Sequence, residues 1–135
     1  MLEIRGQSGI ELATLTAFLI MLLTVFVVVA QQRQNDVVRE RNYSEAQRIA
    51  SLVAAHINTA ASVGGGYSSS FILPPGIHGY QYNVSAVAAE QRILVEYGER
   101  NFSATAQILT SDIQANFLIG GVNGITNEAG VVRIG

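Results

Sequence analysis

The sequence predicts an α+β fold: a long N-terminal α-helix, hydrophobic then amphipathic, followed by a small head of antiparallel β-sheet or β-sandwich. Three observations predict it. Nineteen consecutive residues, Leu12 to Ala30, carry no charge and are mostly Leu, Val, Phe, Ile, Ala and Met. The 54 residues between Gly9 and Gly64 contain neither glycine nor proline. Beyond Gly64 come short runs in which apolar and polar residues alternate, separated by Gly, Pro and Asn.

The apolar block forms the first part of the helix. At ~1.5 Å per residue it is about 28 Å long, close to the ~30 Å hydrocarbon thickness of a bilayer. A helix apolar on every face needs more cover than a chain this small can supply. The segment is therefore expected to occupy a membrane at some stage. The second part, Gln31 to about Ala61, is amphipathic. Ala46, Ile49, Ala50, Val53, Ile57 and Ala60 recur at spacings of three and four and make one stripe. Arg33, Asp36, Arg39, Glu40, Arg41, Glu45 and Arg48 mark the remaining face as polar and of mixed sign. Gly64-Gly65-Gly66 ends the helix, because glycine takes the left-handed terminal conformation at little cost.

Strands are expected at Phe71–Leu73, Tyr80–Ala86, Ile93–Tyr97, Phe102–Ile108 and Ile113–Ile119, each with a period of two where its length shows one. A last hairpin is expected from Ile125 and from Val131 to Ile134, turning through Asn127–Gly130. Such alternation implies antiparallel strands with one covered face and one wet face. A β region of roughly 70 residues is marginal alone. The amphipathic stripe of the helix is its natural cover.

Composition narrows the function. The net charge is −2, so no basic surface invites nucleic acid. All eight basic residues are Arg, and the absence of Cys excludes disulfides, zinc-thiolate sites and thiol catalysis. His56 and His78 have no second His or carboxylate at ligand spacing, so no metal or other cofactor is expected. No nucleophile elbow and no phosphate-binding glycine loop is present. The expectation is a non-enzyme.

The residues before the apolar block decide which kind of membrane segment this is. A secretory signal is cut after its apolar stretch beside small residues, but Ala30 is followed by Gln31-Gln32-Arg33. Instead a short charged leader ends in Arg5-Gly6, with Glu11 just inside the apolar run. Arg5-Gly6-Gln7 with Glu11 resembles the class III signal peptide of archaeal type IV pilins. The resemblance implies that a prepilin peptidase cuts between Gly6 and Gln7, leaving Glu11 as the fifth residue of the mature chain. The archaeal pattern reads Gln-x-Ser-x-Glu, whereas this chain reads Gln7-Ser8-Gly9-Ile10-Glu11. Gly9 resembles archaellins, which have glycine where Glu11 stands, and a bacterial Tad-type minor pilin shares the Gly-Gln-Ser leader. Leu73-Pro74 before an aromatic strand, and Ile125-Thr126-Asn127 to Gly130-Val131, also look like small archaeal pilins.

The implied division is a leader over residues 1–6 and a helix over 7–63, with 12–30 the membrane and filament-core segment. A Gly/Ser linker over 64–70 and a β head over 71–135 complete it. The implied partners are further copies of the chain in a helical filament, the peptidase, and an assembly ATPase with its membrane platform. The precursor would lie in the cell membrane, and the filament outside the cell would serve adhesion. Two other readings are a membrane-anchored β-domain binding protein that does not polymerise and a short archaellin-like motility subunit.

Glu11 has a physical role open to it as well. A carboxylate in an apolar helix is costly to desolvate unless paired. It either lies at the headgroup level or pairs with the N-terminal ammonium that cleavage creates at a neighbour's Gln7. One buried polar pair among apolar contacts fixes axial register. The leader favours that second role.

Arg33, Arg39, Arg41 and Arg48 follow the apolar segment and only Arg5 precedes it, which by the positive-inside rule places the C-terminus in the cytoplasm. The leader and three glycosylation sequons overrule this expectation. The sequons are Asn42-Tyr43-Ser44, Asn83-Val84-Ser85 and Asn101-Phe102-Ser103. Asn83, on a wet strand face, and Asn101, in a polar turn, are the better glycan acceptors, whereas Asn42 lies within the helix.

Overall fold

A single α-helix, α1, runs Leu2–Val63 in the computed structural model, which describes residues 2–135 and side chains from Gly6 onward. Met1–Arg5 of the expected leader therefore lie outside the residues with described side chains. The chain divides into two units, Met1–Arg39 and Glu40–Gly135. The first unit is helix throughout its described length. The second contains the last turns of α1 and seven strands, so the fold is α+β.

The strands are β1 (Ser68–Ile72), β2 (Tyr82–Val87), β3 (Arg92–Tyr97), β4 (Phe102–Gln107), β5 (Ile113–Ala115), β6 (Val122–Glu128) and β7 (Val131–Ile134). They form a four-stranded sheet in the order β1-β6-β7-β5 and a three-stranded meander β2-β3-β4. All pairings are antiparallel except β5 with β7, so the first sheet is mixed. β2 and β5 flank a cleft lined by Asn83, Val84, Ser85, Ala86, Ile113, Ala115, Asn116 and Phe117.

Alternation along each strand sends one set of side chains into a single core. Phe71, Val84, Ile93, Val95, Ala104, Ile125, Val132 and Ile134 are buried there. The helix closes it with the stripe read from the sequence. Ala46, Ala50, Val53, Ile57 and Ala60 have no exposed surface, and Ile49 is 3% exposed. Burying Ile49, Val53 and Ile57 stabilises the head by about 1.5–3 kcal/mol each relative to exposure.

Polar side chains complete the junction. Asn58 on the helix donates from Nδ2 to the Gln107 carbonyl (3.4 Å) and accepts the Leu109 N–H on Oδ1 (2.8 Å). Gln47 donates to the Thr105 carbonyl at 2.9 Å. These two amides, eleven residues or about three turns apart on one helix face, occupy backbone groups of the β4 edge that would otherwise invite another strand. The helix ends at Gly64, whose φ is 88° and whose N–H donates to Ala60. The same Ala60 carbonyl accepts a bond from Asn127 Nδ2 on β6 at 2.9 Å.

Several strand limits differ from the periodic reading, each for a local reason. β1 starts at Ser68, inside the stretch expected as linker, because Asn127 exchanges backbone bonds with Gly66 and Tyr67. Tyr80 does not open β2, since Ile77 and Tyr80 exchange two backbone bonds in a tight turn that leaves Tyr80 exposed. The expected strand to Ile119 stops at Ala115. There the Asn123 side chain accepts the Leu118 N–H (2.7 Å) and donates to the Leu118 carbonyl (3.0 Å), which draws the chain out of the sheet. Asn127 belongs to β6 rather than to the last turn, which is made by Ala129 and Gly130 at φ 53° and 91°. Positive φ at both central residues matches the two-residue hairpin turns that suit strand twist.

Tyr82 carries a pH dependence. Its hydroxyl donates to the Pro74 carbonyl at 2.6 Å, and burial, with Glu45 nearby, pushes its pKa up to about 12. The unfolded phenol titrates near ~10. The folded state therefore holds the proton more tightly, and its contribution to stability is complete below pH ~10 and lost as pH rises through about 12. Tyr82→Phe is expected to flatten the alkaline fall in stability over that window, read from unfolding midpoints at a series of pH values. An unchanged alkaline limb would show that Tyr82 is not the group responsible.

Candidate functional site

The first candidate site is the helix surface from Gly6 to Ala30. Gln7 and Glu11 stand one turn apart and share a helix face. The Gly6–Gln7 peptide bond lies within α1. From Gly6 to Gln32, Glu11 is the only ionisable side chain. Thirteen large apolar side chains between Leu12 and Val29 are each at least 45% exposed. An 18-residue window of the helix has mean hydropathy 2.7 with none of its residues buried, which makes it long and apolar enough to cross a membrane. At ~1.5–3 kcal/mol per side chain, covering this surface is worth tens of kcal/mol.

The threonine hydroxyls of the segment are already provided for. Thr14, Thr16 and Thr24 each donate to the carbonyl four residues earlier, at 2.9, 2.8 and 2.8 Å. A hydroxyl satisfied in this way enters an apolar medium without an unmet hydrogen bond. The charge count of the sequence registers these threonines only as neutral; the i−4 bonds make them compatible with lipid or with packed helices. Glu11 is the one ionisable side chain of the segment, and burying its charge requires a partner from outside the helix.

The three sequon asparagines fall in different environments. Asn42 is 7% exposed and stands one turn before Ala46, at the start of the buried stripe. Asn83 is exposed on β2, opposite Glu96 of β3. Asn101 is exposed at the end of the β3–β4 turn, in the left-handed region at φ 49°. Asn83 and Asn101 rim one shallow depression together with Gln81, Tyr82, Glu96, Tyr97 and Gly98. Burial, with Tyr43 close by, raises the pKa of Tyr97.

The histidines are placed apart. His56 stacks on Phe71 with ring centroids 4.9 Å apart, and His78 is exposed in the Ile77–Tyr80 turn. Among the described residues no group of three or more His, Cys, Asp or Glu is arranged to hold a metal ion. Reading the sequence alone missed Gln47, Asn58 and Asn127 as organisers of the head. The spacing of Gln47 and Asn58 on one helix face is the signal that points to the first two; nothing local singles out Asn127.

No protein-family model, no curated protein and no solved structure matches this chain at a significant level.

Proposed function

We propose that the chain is the structural subunit, a pilin, of an archaeal type IV pilus-like extracellular filament, used for adhesion to surfaces or other cells. The observation that carries this reading is the uncovered, all-round apolar helix surface from Leu12 to Ala30, continuous in one helix with the stripe that closes the head. A bilayer covers that surface in the precursor. A bundle of the same helices covers it in a filament, so the hydrophobic cost of leaving the membrane is largely returned.

The leader residues Gly6 and Gln7 and the carboxylate of Glu11 favour polymerisation over simple anchoring, since cleavage at that leader gives Glu11 a partner in the ammonium of a neighbour's Gln7. Prepilin peptidase, an assembly ATPase and its platform are the partners this reading requires. A β-domain binding protein anchored by the same helix is the second reading, because the apolar surface alone satisfies it equally.

Electron microscopy of filaments sheared from the source cells, with N-terminal mass spectrometry of the subunit, separates the two. Thin filaments containing this chain with Gln7 as its first residue are expected. A chain that starts at Met1 and stays wholly in the membrane fraction defeats the pilin reading.

A further inference from the structure

Two sequon asparagines eighteen residues apart in the sequence come together at one place on the head. Asn83 reaches it from β2, and Asn101 from the turn that joins β3 to β4. The fold builds the spot closely: Tyr82 faces Tyr97 across the β2–β3 ladder, Gly98 donates its N–H to Gln81, and Asn101 donates its N–H to Gly98. The polar lining is three amides and one carboxylate, beside the buried Tyr82 and Tyr97, with no basic residue. Amides donate to and accept from hydroxyls, and a carboxylate accepts from them. That lining suits a neutral, polyhydroxylated ring. At about 260 Å³ the depression falls below the ~300–1,000 Å³ of pockets that enclose free small ligands.

We propose that this depression seats one N-linked glycan per head, carried by Asn101 or alternatively by Asn83, and that Asn42 carries none. The inference rests on the reading above that the head lies outside the cell. Asn101 is the principal acceptor: its side chain is exposed, its backbone is in a turn, and Ser103 of the same sequon is exposed. Asn83 is exposed, but its backbone is paired within β2 and its Ser85 is half-buried. Asn42 is buried one helical turn before Ala46, which has no exposed surface, so a sugar there would displace the helix from the head.

The attachment needs a co-reactant, an oligosaccharide joined through its anomeric carbon to a lipid phosphate, and a transferase that presents it. The anomeric C–O bond to phosphate breaks and a C–N bond to the asparagine Nδ2 forms. The amide gives up one proton, and the lipid phosphate leaves with the bonding pair; nothing is oxidised or reduced. A first sugar on either asparagine occupies the shared depression and covers the other amide, so the two attachments exclude each other.

The test is intact-mass measurement and glycopeptide mapping of the full chain purified from its source cells, alongside Asn101→Gln, Ser103→Ala and Asn83→Gln. Ser103→Ala removes the sequon while leaving the asparagine of the turn in place, so it separates loss of attachment from loss of folding. The expected result is a single glycan mass per chain, mapped mainly to Asn101. In Asn101→Gln and in Ser103→Ala that glycan shifts to Asn83; in Asn83→Gln it stays on Asn101. Two glycans on one chain, any glycan on Asn42, or a native chain bearing none overturns the proposal. Microscopy of the same material keeps the two claims apart: glycan-free filaments defeat this inference alone, and a singly glycosylated chain that never forms filaments defeats the pilin reading alone.

Discussion

Glu11→Gln is expected to leave the chain in the membrane fraction while cutting surface filament yield by at least about tenfold. The substitution keeps shape and hydrogen-bonding reach and removes only the charge. Insertion into a bilayer is driven by the exposed apolar side chains from Leu12 to Val29, which the change does not touch. Assembly is different. On the proposed reading, cleavage after Gly6 would leave an ammonium at Gln7 that needs a compensating anion in a bundle of apolar helices, and from Gly6 to Gln32 the sequence offers only Glu11. Breaking a buried pair by removing one partner costs about 3–5 kcal/mol, because the other charge stays buried. At ~1.4 kcal/mol per factor of ten, a single such loss at each subunit weakens its addition by at least about a hundredfold. Glu11→Asp retains the charge on a shorter arm and is expected to fall between the two. Membrane-fraction immunoblots and counts of sheared filaments read the outcome, and wild-type filament yield from Glu11→Gln would sink the pairing role.

The second large effect is expected at Asn127. Its Nδ2 donates to the Ala60 carbonyl at the end of α1 (2.9 Å), and its Oδ1 accepts the Gly130 N–H of the β6–β7 turn (3.0 Å). One side chain 2% exposed thus ties the helix end and the last hairpin together. Asn127→Ala removes both bonds and leaves a small cavity; Ala60 keeps its bond from Gly64, while Gly130 loses its partner. The expected loss is about 2–3 kcal/mol of head stability. Asn127→Asp keeps an acceptor for Gly130 but sets a buried carboxylate oxygen against the Ala60 carbonyl, so it is expected to cost more at neutral pH. Acidification should return part of that loss, because the protonated acid can donate to Ala60. Denaturant unfolding of the detergent-solubilised full chain at two pH values checks both variants. Stability within ~0.5 kcal/mol of wild type for either would show that the junction does not depend on this residue.

These two residues mark how far the sequence carries. Glu11 was legible because its neighbourhood is one-dimensional: a lone carboxylate in a run without charge is visible by inspection, whatever the chain does later. The helix stripe was legible for the same reason, since the 3.6-residue period fixes which side chains share a face before any partner is known. Ala46, Ile49, Ala50, Val53, Ile57 and Ala60 are all buried as that period requires. β3 and β4 likewise follow a period of two.

What the sequence could not decide depends on contacts between distant residues. Asn127 looked like a turn former, because asparagine favours turns locally; its partner Ala60 lies 67 positions away and only the packed head brings them together. Asn123 ends β5 by taking Leu118 out of the ladder, a side-chain bond that no periodicity encodes. The parallel pairing of β5 with β7 is equally a matter of topology. The convergence of Asn83 and Asn101 on one depression follows from the β2-β3-β4 register, not from either sequon. The sequence by itself determined a long helix with an apolar surface, its lone carboxylate and the stripe that meets a β head, because those are properties of local spacing. The tertiary structure alone decided how the strands are ordered, which amides close the head and which asparagines share a site, because each is set by groups that meet only when the core excludes water.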